Sequence, residues 1–295
     1  MTFSDTERAA CRQLIHLALA EDLGPVGDVT LQALLTHQGV GSAVFIARST
    51  GVLAGLEAVA LTFATIDPSI RFERLRDDGI SLAKGEHAAR ASGLLQSLLL
   101  GERTALNFVQ RMSGVATMTR HFVDAIAGTQ AMIVDTRKTT PGFRRLEKYA
   151  VRCGGGHNHR VGLFDMILIK DNHLVALRIA DPAAAVAEAI RRARVYRESH
   201  DPSMSIMIEV ESLPQLDAAL AGRPDFVLLD NMPLADMKES VRRRATSAPG
   251  VQLEASGGVT LATVRAIAET GVDRISVGAL THSAPAWDLA LDFEP

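Results

Sequence analysis

From about residue 130 onward, short apolar runs alternate with stretches of helical periodicity, and this alternation constrains the fold more than any other feature of the chain. The apolar runs are 132–134, 166–169, 206–210, 226–229, 251–255 and 274–277. The helical stretches between them are 181–198, 212–221, 233–245 and 260–270. Strands that alternate with helices in this way form parallel sheets, so the sequence predicts an α/β fold here.

Polar residues or glycine follow each of the predicted strands. They are Asp135, Lys170, Glu209 with Glu211, Asp230, Ser256 and Gly278. Both α/β barrels and doubly wound open sheets place their chemistry at the C-terminal ends of parallel strands. The absence of a Gly-x-Gly-x-x-Gly turn after any of these strands favours the barrel. Because only six strands are clear, we expect the barrel to be incomplete.

The upstream part of the chain has a different pattern of predicted helices and short strands. This pattern predicts an α+β domain over roughly 1–110. The predicted helices are 5–21, capped by Ser4 or Asp5, and then 56–66, 94–110 and 114–127. The predicted strands are 42–49, 51–54 and 69–75. Along the first helix, one apolar face is expected to contain Leu14, Ile15, Leu17 and Ala18.

The composition excludes several classes of protein. The chain has 295 residues and a formal net charge of −3, whereas general binders of nucleic acid or anionic membranes are usually basic. Cys11 and Cys153 match no metal-ligand spacing, and we expect reduced thiols in the cytoplasm. The N-terminal residues lack the basic start and apolar core of a signal peptide. We therefore expect neither nucleic acid nor membrane as a partner.

Cations are concentrated between residues 137 and 173, where eight Lys and Arg stand against three acids. A cation at the end of an apolar strand is costly to desolvate unless an anion meets it. We therefore interpret Arg137, Lys138 and Lys170 as part of an anion-binding site, since arginine forks suit carboxylates and phosphates. A solvated helix face is the simpler interpretation for the remaining central cations, Arg144, Arg145 and Lys148.

Three histidines in the same stretch raise the possibility of zinc. His157 and His159 stand two residues apart in a glycine-rich loop, with His173 further on. This spacing does not match the usual zinc patterns, and the surrounding cations would repel a dication. The sequence therefore disfavours a zinc site.

The strand-end acids and glycines predict the remaining contacts. Three acids, Glu209, Glu211 and Asp230, stand at strand ends. Carboxylates at a site for phosphate esters usually hold magnesium or ribose hydroxyls. The alternative for these acids is ion pairing with the nearby cations. Loops after the last strands of a barrel commonly bind phosphate. The turn at 256–258 and Gly278 fit that role, and an ordinary tight turn is the alternative.

Long ordered motifs in the chain resemble those of the quinolinate phosphoribosyltransferase family. They begin at Glu21 (EDLG), Gly27 (GDVT), Gly101 (GERTALN), Asp135 (DTRKTTPG), Lys148 (KYAV), Gly154 (GGGHNHR), Asp165 (DMILIKDNH), Glu209 (EVE), Leu229 (LDNM), Glu254 (EASGGV) and Ile275 (ISVGALTHS). The resemblance covers essentially the whole chain. It departs from the family near 191–204, which is longer than usual.

The resemblance implies an architecture and an assembly. An N-terminal α/β sandwich domain (1–112, joined by about 280–295) would precede an incomplete, seven-stranded α/β barrel (113–279). It also implies a homodimer in which the N-terminal domain of one subunit covers the barrel of the other. A hexamer is a further possibility.

The resemblance also implies roles for individual residues. The substrate-binding residues would be Arg103 from the partner subunit, together with Arg137, His159, Arg160, Lys170, Ser256, Gly257, Gly258 and Gly278. The catalytic residues would be Lys138, Glu209 and Asp230. Magnesium would be the cofactor, held near Glu209 and Asp230 mostly through substrate or water.

The activity implied by the resemblance is transfer of phosphoribosyl from phosphoribosyl pyrophosphate to quinolinate with loss of carbon dioxide, a step of NAD biosynthesis. One alternative is a related phosphoribosyltransferase that acts on nicotinate or belongs to the type associated with molybdate transport. Another is an anion-binding or regulatory protein on the same fold. The four cations Arg103, Arg137, Arg160 and Lys170 favour a dicarboxylate substrate, and the acids opposite them favour an enzyme.

Overall fold

The structure is a computed structural model that describes residues 1–35 and 39–294. Within it the chain forms two compact units. Unit 1 consists of Met1–Arg120, Lys138–Gly156 and Leu280–Pro295, and unit 2 of His121–Arg137 and His157–Ala279. Residues 36–38 and 295, which the predicted N-terminal domain includes, lie outside the described residues. Among the described helices, none combines the length and the apolarity that crossing a membrane requires.

Both units contain helices and strands. The helices are α1 (Asp5–Leu23), α2 (Val29–Leu34), α3 (Leu56–Ile66), α4 (Leu95–Ala125), α5 (Arg144–Cys153), α6 (Asp171–Ala176), α7 (Pro182–His200), α8 (Leu213–Gly222), α9 (Leu234–Ser247), α10 (Val264–Ala268) and α11 (Ala279–His282). The strands are β1 (Val40–Ala47), β2 (Gly51–Val52), β3 (Arg71–Arg74), β4 (Ser81–Leu82), β5 (His87–Leu94), β6 (Met132–Val134), β7 (Ile167–Ile169), β8 (Ile206–Val210), β9 (Phe226–Asp230), β10 (Gln252–Ser256), β11 (Arg274–Ser276) and β12 (Leu289–Glu294).

Unit 2 is built on a parallel sheet of six strands in the order β6-β11-β10-β9-β8-β7. Five of these strands follow one another in chain order across the sheet, and β6 joins at the far end beside β11. β8 is buried along its whole length, as expected for a parallel strand covered on both faces. The predicted alternation of strands and helices is confirmed, and all six predicted strands are present within one to two residues of their expected ends.

Unit 1 contains the antiparallel sheets. Four strands pair in the order β12-β1-β5-β3, and β2 pairs with β4. Phe45 of β1 packs edge-on against Phe63 of α3 at a centroid distance of 6.3 Å, and both rings are buried. Trp287, just before β12, belongs to the same apolar core. The core therefore joins segments from both ends of the described chain.

The helix over 94–110 and the helix over 114–127 form one continuous helix, α4, so the predicted break between them is wrong. Ser113 and Gly114 lie at the predicted break. In the structure the Ser113 hydroxyl accepts a hydrogen bond from the Ala54 N–H at 2.9 Å. A Cβ at Gly114 would lie 2.0 Å from the Pro285 carbonyl oxygen. The small residue is required for close packing and does not end the helix.

Two further predictions in unit 1 were wrong or incomplete. β5 is absent from the predicted strands because its alanines, serine and glycine have low strand propensity, which pairing with β1 and β3 overrides. On α1 the buried positions are Glu7, Cys11, Ile15 and Leu19, and Leu14 and Ala18 are partly buried, whereas Leu17 is 66% exposed. The buried positions follow a four-residue spacing, and the predicted apolar face is wrong only at Leu17. Ser4 caps this helix as predicted.

Candidate active site

The carboxyl edge of the parallel sheet brings together predicted site residues from separate strands. Lys170 follows β7, Glu209 lies on β8, and Asp230 and Ser256 end β9 and β10. Asp230 and Ser256 are direct neighbours in the sheet register. Because all six strands run in the same direction, their C-terminal ends meet at one edge, where this class of sheet places its chemistry. Gly278 follows β11 at the same edge.

Two carboxylates and a lysine form one side of this edge. The Lys170 Nζ lies 3.3 Å from Glu209 Oε2, and Glu209 is 9% exposed. Burial raises the pKa of Glu209; Lys170 opposes the rise, while the negative charges of Asp230 and Asp171 add to it. The Glu209 and Asp230 carboxylates are therefore close enough to repel each other. Ion pairing, the alternative given for Glu209, is present with Lys170.

Asn231 connects Asp230 to the glycine turn after β10. Its side-chain amide donates to Asp230 Oδ2 at 2.8 Å, and its backbone N–H donates to the Ser256 carbonyl at 2.9 Å. Gly257 has a φ of +101°, and a Cβ there would lie 2.1 Å from Asn231 Oδ1. Gly258 also has a positive φ, +57°, but the space beside it is open. Position 257 therefore requires glycine because the Asn231 side chain approaches it closely. No role was predicted for Asn231 from the sequence.

Asp135 holds the loop that contains His159. The Asp135 side chain is buried, accepts the His159 backbone N–H at 2.9 Å and accepts the Asn158 amide at 2.6 Å. His157 forms a parallel bridge with Val134 of β6. The segment 157–159 is thus fixed to the end of β6 by backbone and side-chain bonds together.

Arg137 and Arg160 provide neighbouring positive charges in unit 2. Burial lowers the pKa of the Arg160 guanidinium, the nearby charge of Arg137 lowers it further, and Asp165 opposes both. Arg160 also donates to the Met166 carbonyl at 3.2 Å. Two half-buried guanidinium groups that repel each other are stabilised by an anion that contacts both, and a dicarboxylate meets that requirement.

A fully buried ion pair lies within the parallel sheet. Glu254 on β10 is 0% exposed, and its Oε2 lies 3.0 Å from Arg274 Nε on β11. Its Oε1 lies 3.5 Å from His159 Nε2. Burial raises the pKa of Glu254 to about 7; Arg274 and the Ser276 hydroxyl oppose the rise, and Asp135 adds to it. The carboxylate is held between a cation and a histidine of the predicted site.

This raised pKa makes stability depend on pH. Glu254 binds its proton more tightly in the folded chain, so its contribution is fully present below the ordinary pKa of 4.5 and is lost as the pH rises through about 7. The shift corresponds to roughly 3 kcal/mol of unfolding free energy. We expect this component to disappear in Glu254→Gln, as measured by urea unfolding at several pH values between 4.5 and 8. An unchanged slope in the variant would contradict the assignment.

The predicted histidines bond to protein groups. His173 Nδ1 accepts the Lys170 backbone N–H at 2.9 Å and so stabilises the start of α6. His159 Nδ1 accepts the Arg160 backbone N–H at 2.7 Å. Throughout residues 1–35 and 39–294, no three His, Cys, Asp or Glu side chains are grouped as metal ligands. A metal at the Glu209 and Asp230 carboxylates would therefore take further oxygens from substrate or water.

Arg103 and Lys138 belong to unit 1. Arg103 is exposed on α4, and Lys138 is exposed immediately after Arg137. The Thr281 hydroxyl donates to the Lys138 carbonyl at 2.6 Å. Arg111 bonds the Thr281 carbonyl and also lies 2.7 Å from the buried Glu147 carboxylate. An ion pair between the half-buried Arg111 and the buried Glu147 thus supports the backbone at Lys138 through Thr281.

The solvated helix face predicted for α5 is wrong for one of its three residues. Lys148 is 2% exposed and lies among the buried residues of α5. Arg144 and Arg145, one turn earlier, are partly exposed. Positive charge alone misled the prediction, because a lysine can be buried when its ammonium group is satisfied.

An α/β sheet whose carboxyl edge combines cations, carboxylates and a glycine turn has the features of the class of α/β proteins that act on anionic, phosphate-bearing ligands. Comparison with known proteins agrees with this class. The N-terminal domain model of quinolinate phosphoribosyl transferase matches residues 28–113, and the C-terminal domain model matches residues 115–292. The chain belongs to the quinolinate phosphoribosyl transferase family.

Similar proteins align over nearly the full length. The chain is 43% identical to the nicotinate-nucleotide pyrophosphorylase [carboxylating] of Mycobacterium leprae, covering 98% of this chain and 99% of that protein. It is 41% identical to the probable nicotinate-nucleotide pyrophosphorylase of Bacillus subtilis, covering 95% and 92%. The solved structure of the Francisella tularensis nicotinate-nucleotide pyrophosphorylase has a TM-score of 0.87 at 38% identity, covering 97% of each chain.

Proposed function

We propose that the protein transfers phosphoribosyl from phosphoribosyl pyrophosphate to quinolinate, with loss of carbon dioxide, to give nicotinate mononucleotide for NAD biosynthesis. The observation that carries this proposal is the pair of neighbouring guanidinium groups, Arg137 and Arg160. Quinolinate is a dianion, and phosphoribosyl pyrophosphate carries several negative charges. Fixed cations are the physical requirement for holding two such anions in one site.

The roles of the residues follow from the charges that the reaction moves. The pyridine nitrogen forms a bond to the ribosyl carbon as the bond from that carbon to pyrophosphate breaks. The ribosyl centre becomes cation-like, and the Glu209 and Asp230 carboxylates stabilise it. Lys138 neutralises charge on the departing pyrophosphate. The pyridinium nitrogen then accepts the electrons of the breaking bond to the adjacent carboxylate, carbon dioxide leaves, and a proton replaces it on the ring.

The glycine turn after β10 is assigned to the 5′-phosphate of the ribosyl donor. Ser256, Gly257 and Gly258 hold the phosphate in this proposal, together with Gly278 after β11. The positive φ at both Gly257 and Gly258, and the open space beside Gly258, support it, because backbone N–H groups in such a turn are accessible to an anion.

Magnesium fits the Glu209 and Asp230 carboxylates as the proposed cofactor. Hard oxygen ligands suit this ion. Burial raises the pKa of Glu209, and a cation there relieves the repulsion from Asp230 that adds to this rise. Because no third metal-ligand side chain joins these two carboxylates among residues 1–35 and 39–294, the ion is held largely through substrate or water in this proposal. When bound, it supplies positive charge to the pyrophosphate leaving group.

The finer architecture is also part of the proposal. An incomplete α/β barrel is supported by the pairing of β6, the first strand of the parallel sheet, with β11, the last. The one-residue parallel bridge at His157 supports a seventh strand beside β6. The α/β sandwich and the domain limits 1–112 with 280–295 and 113–279 stay predictions. Cytoplasmic location also stays a prediction; it rests on Cys11 and Cys153, which are free and buried.

A homodimer that shares its sites is proposed from the exposed position of Arg103 on α4. Arg103→Ala and Arg137→Ala are each expected to be nearly inactive alone. Mixed dimers of the two variants carry one intact site in each heterodimer, so co-refolding at equal amounts should restore about a quarter of wild-type activity. Steady-state rates before and after mixing measure this. Failure to recover activity in mixtures shown to contain heterodimers would contradict a shared site.

One experiment separates the proposed function from its rivals. The purified protein is incubated with magnesium and phosphoribosyl pyrophosphate, and with either quinolinate or nicotinate, while pyrophosphate and carbon dioxide are followed. We expect pyrophosphate and carbon dioxide in equal amounts with quinolinate. Pyrophosphate with nicotinate alone would indicate the related transferase, and neither product would indicate a binding protein.

A further inference from the structure

Glu254 is a buried carboxylate to which the proposed reaction gives no role. It lies on β10 between Arg274 and His159, with its Oε2 3.0 Å from Arg274 Nε and its Oε1 3.5 Å from His159 Nε2. Arg274 is itself 9% exposed and lies over the Phe226 ring at 4.7 Å. A charged pair buried this deeply is costly to desolvate and is weak support for stability by itself. Its position beside His159 indicates another use.

The contacts of His159 determine its tautomer. Nδ1 accepts the Arg160 backbone N–H at 2.7 Å, so in the neutral ring the proton lies on Nε2. Nε2 lies 3.5 Å from Glu254 Oε1, which is within reach of electrostatic attraction between the ring and the carboxylate but does not make a hydrogen bond. The imidazole therefore lies between a buried carboxylate and the backbone of Arg160. A carboxylate beyond a histidine commonly fixes both the tautomer and the orientation of the ring.

The same segment is held from its other side by Asp135, which accepts the His159 backbone N–H at 2.9 Å. Asp135 fixes the start of the His159–Arg160 segment, and Glu254 acts through the ring on its end. The guanidinium of Arg160 extends from this segment. A displacement of the backbone by a fraction of an ångström would move the guanidinium relative to Arg137 and change how the two groups bind one dicarboxylate.

We propose that Glu254 is a positioning residue for dicarboxylate binding: through the Nε2–H tautomer of His159, it holds the backbone that presents Arg160 to a substrate carboxylate. The proposal rests on the proposed function, since it assigns the substrate of Arg160. It concerns quinolinate alone and leaves the ribosyl donor to the carboxylates and glycines of the neighbouring strands.

Glu254→Gln tests the proposal by changing few atoms. The single carbonyl oxygen of glutamine is drawn to Arg274, which leaves its NH₂ group facing the Nε2–H of His159. Two donors then oppose each other, and the ring is expected to move its proton to Nδ1, where it meets the Arg160 N–H. We expect about a tenfold rise in the quinolinate KM, with the KM for phosphoribosyl pyrophosphate changed by less than about twofold.

Two readouts separate positioning from general destabilisation. The ¹⁵N shifts of the His159 ring should show the Nε2–H tautomer in the wild type and its loss in Glu254→Gln. A double-mutant cycle with His159→Asn should show strong coupling, because the asparagine oxygen can accept the Arg160 N–H without Glu254. The proposal would be overturned if the His159 tautomer were unchanged in Glu254→Gln. It would also be overturned if Glu254→Gln raised the quinolinate KM equally in the wild type and in His159→Asn.

Further variants cover the remaining outcomes. If Glu254→Gln does not fold, His159→Leu is compared with His159→Asn. Leucine cannot accept the Arg160 N–H, so His159→Leu should raise the quinolinate KM more than His159→Asn does. Equal KM values for the two variants would overturn the inference. Failure of the proposed function looks different, because the wild-type protein would then neither bind quinolinate by calorimetry nor release carbon dioxide from it. If the wild type turns over quinolinate and Glu254→Gln has the same quinolinate KM, only the present inference is overturned.

Discussion

Arg137→Ala is expected to lower kcat/KM for quinolinate by about 10³-fold, chiefly through a higher KM. Removing one guanidinium takes away a charge-assisted, bidentate grip on a carboxylate, which is worth about 4 kcal/mol when the partner is desolvated. It also removes the neighbouring charge that lowers the pKa of Arg160. Arg160 then meets the dianion without its neighbouring guanidinium group. Steady-state kinetics with each substrate varied in turn measures the effect.

The matched control is Arg191→Ala on α7, whose side chain is 64% exposed and paired with Glu188 on the surface. An exposed ion pair contributes little, so this variant should keep wild-type kinetics. Calorimetry with quinolinate should show that Arg137→Ala has lost affinity in the absence of the ribosyl donor. Near-wild-type binding and turnover in Arg137→Ala would remove Arg137 from the site.

Asp230→Asn is expected to lower kcat by about 10²- to 10³-fold and to raise the magnesium concentration needed for half-maximal rate. The carboxylate lies beside Glu209, raises the pKa of that residue and accepts the Asn231 amide at 2.8 Å. Removing its charge removes stabilisation of the cation-like ribosyl centre, and single groups of this kind are worth about 3–4 kcal/mol. Quinolinate binding by calorimetry should stay unchanged, since the arginines hold that substrate.

Glu198→Gln, an exposed carboxylate on α7, is the control for this substitution. It removes one negative charge from an exposed position of the same unit. Asp230→Asn should also change the pKa of Glu209. The negative charge of Asp230 adds to the rise that burial causes, so its loss should lower the pKa of Glu209. Equal rates for the wild type and Asp230→Asn across magnesium concentrations would exclude Asp230 from catalysis.

The parallel sheet was largely predictable from the sequence because its signals are local. Each strand is a short apolar run that ends in a polar residue or glycine, as β9 ends in Asp230 and β10 in Ser256. The edge that gathers these residues follows from the common direction of the strands. The alternation along the chain therefore predicted both the sheet and the side of it on which the site residues lie.

The missed features depend on contacts between distant segments. β5 becomes a strand because β1 and β3 pair with it, and Gly114 is tolerated inside α4 because Pro285 packs against it. Asn231 follows a strand-end aspartate, but its role depends on the approach of Gly257 from the next strand. No pattern within a short window contains this information.

The pair Glu254 and Arg274 had a signal that the sequence analysis did not use. Each lies inside a run that was interpreted as an apolar strand, and the two runs are consecutive along the chain. Opposite charges on adjacent buried strands predict an internal ion pair, since neither charge would be buried alone. The involvement of His159 still required the structure, because it arises from the course of the loop at 157–160.

The antiparallel sheet of unit 1 has a consequence for the order of folding. β1 pairs with β12, and the Arg48 and Asp292 side chains that meet across this pair are 244 residues apart in the chain. During synthesis the partner of β1 leaves the ribosome only after the whole parallel sheet has been made. The earliest-made sheet is therefore the last to be completed, and the open edge of β1 needs protection from other chains until then.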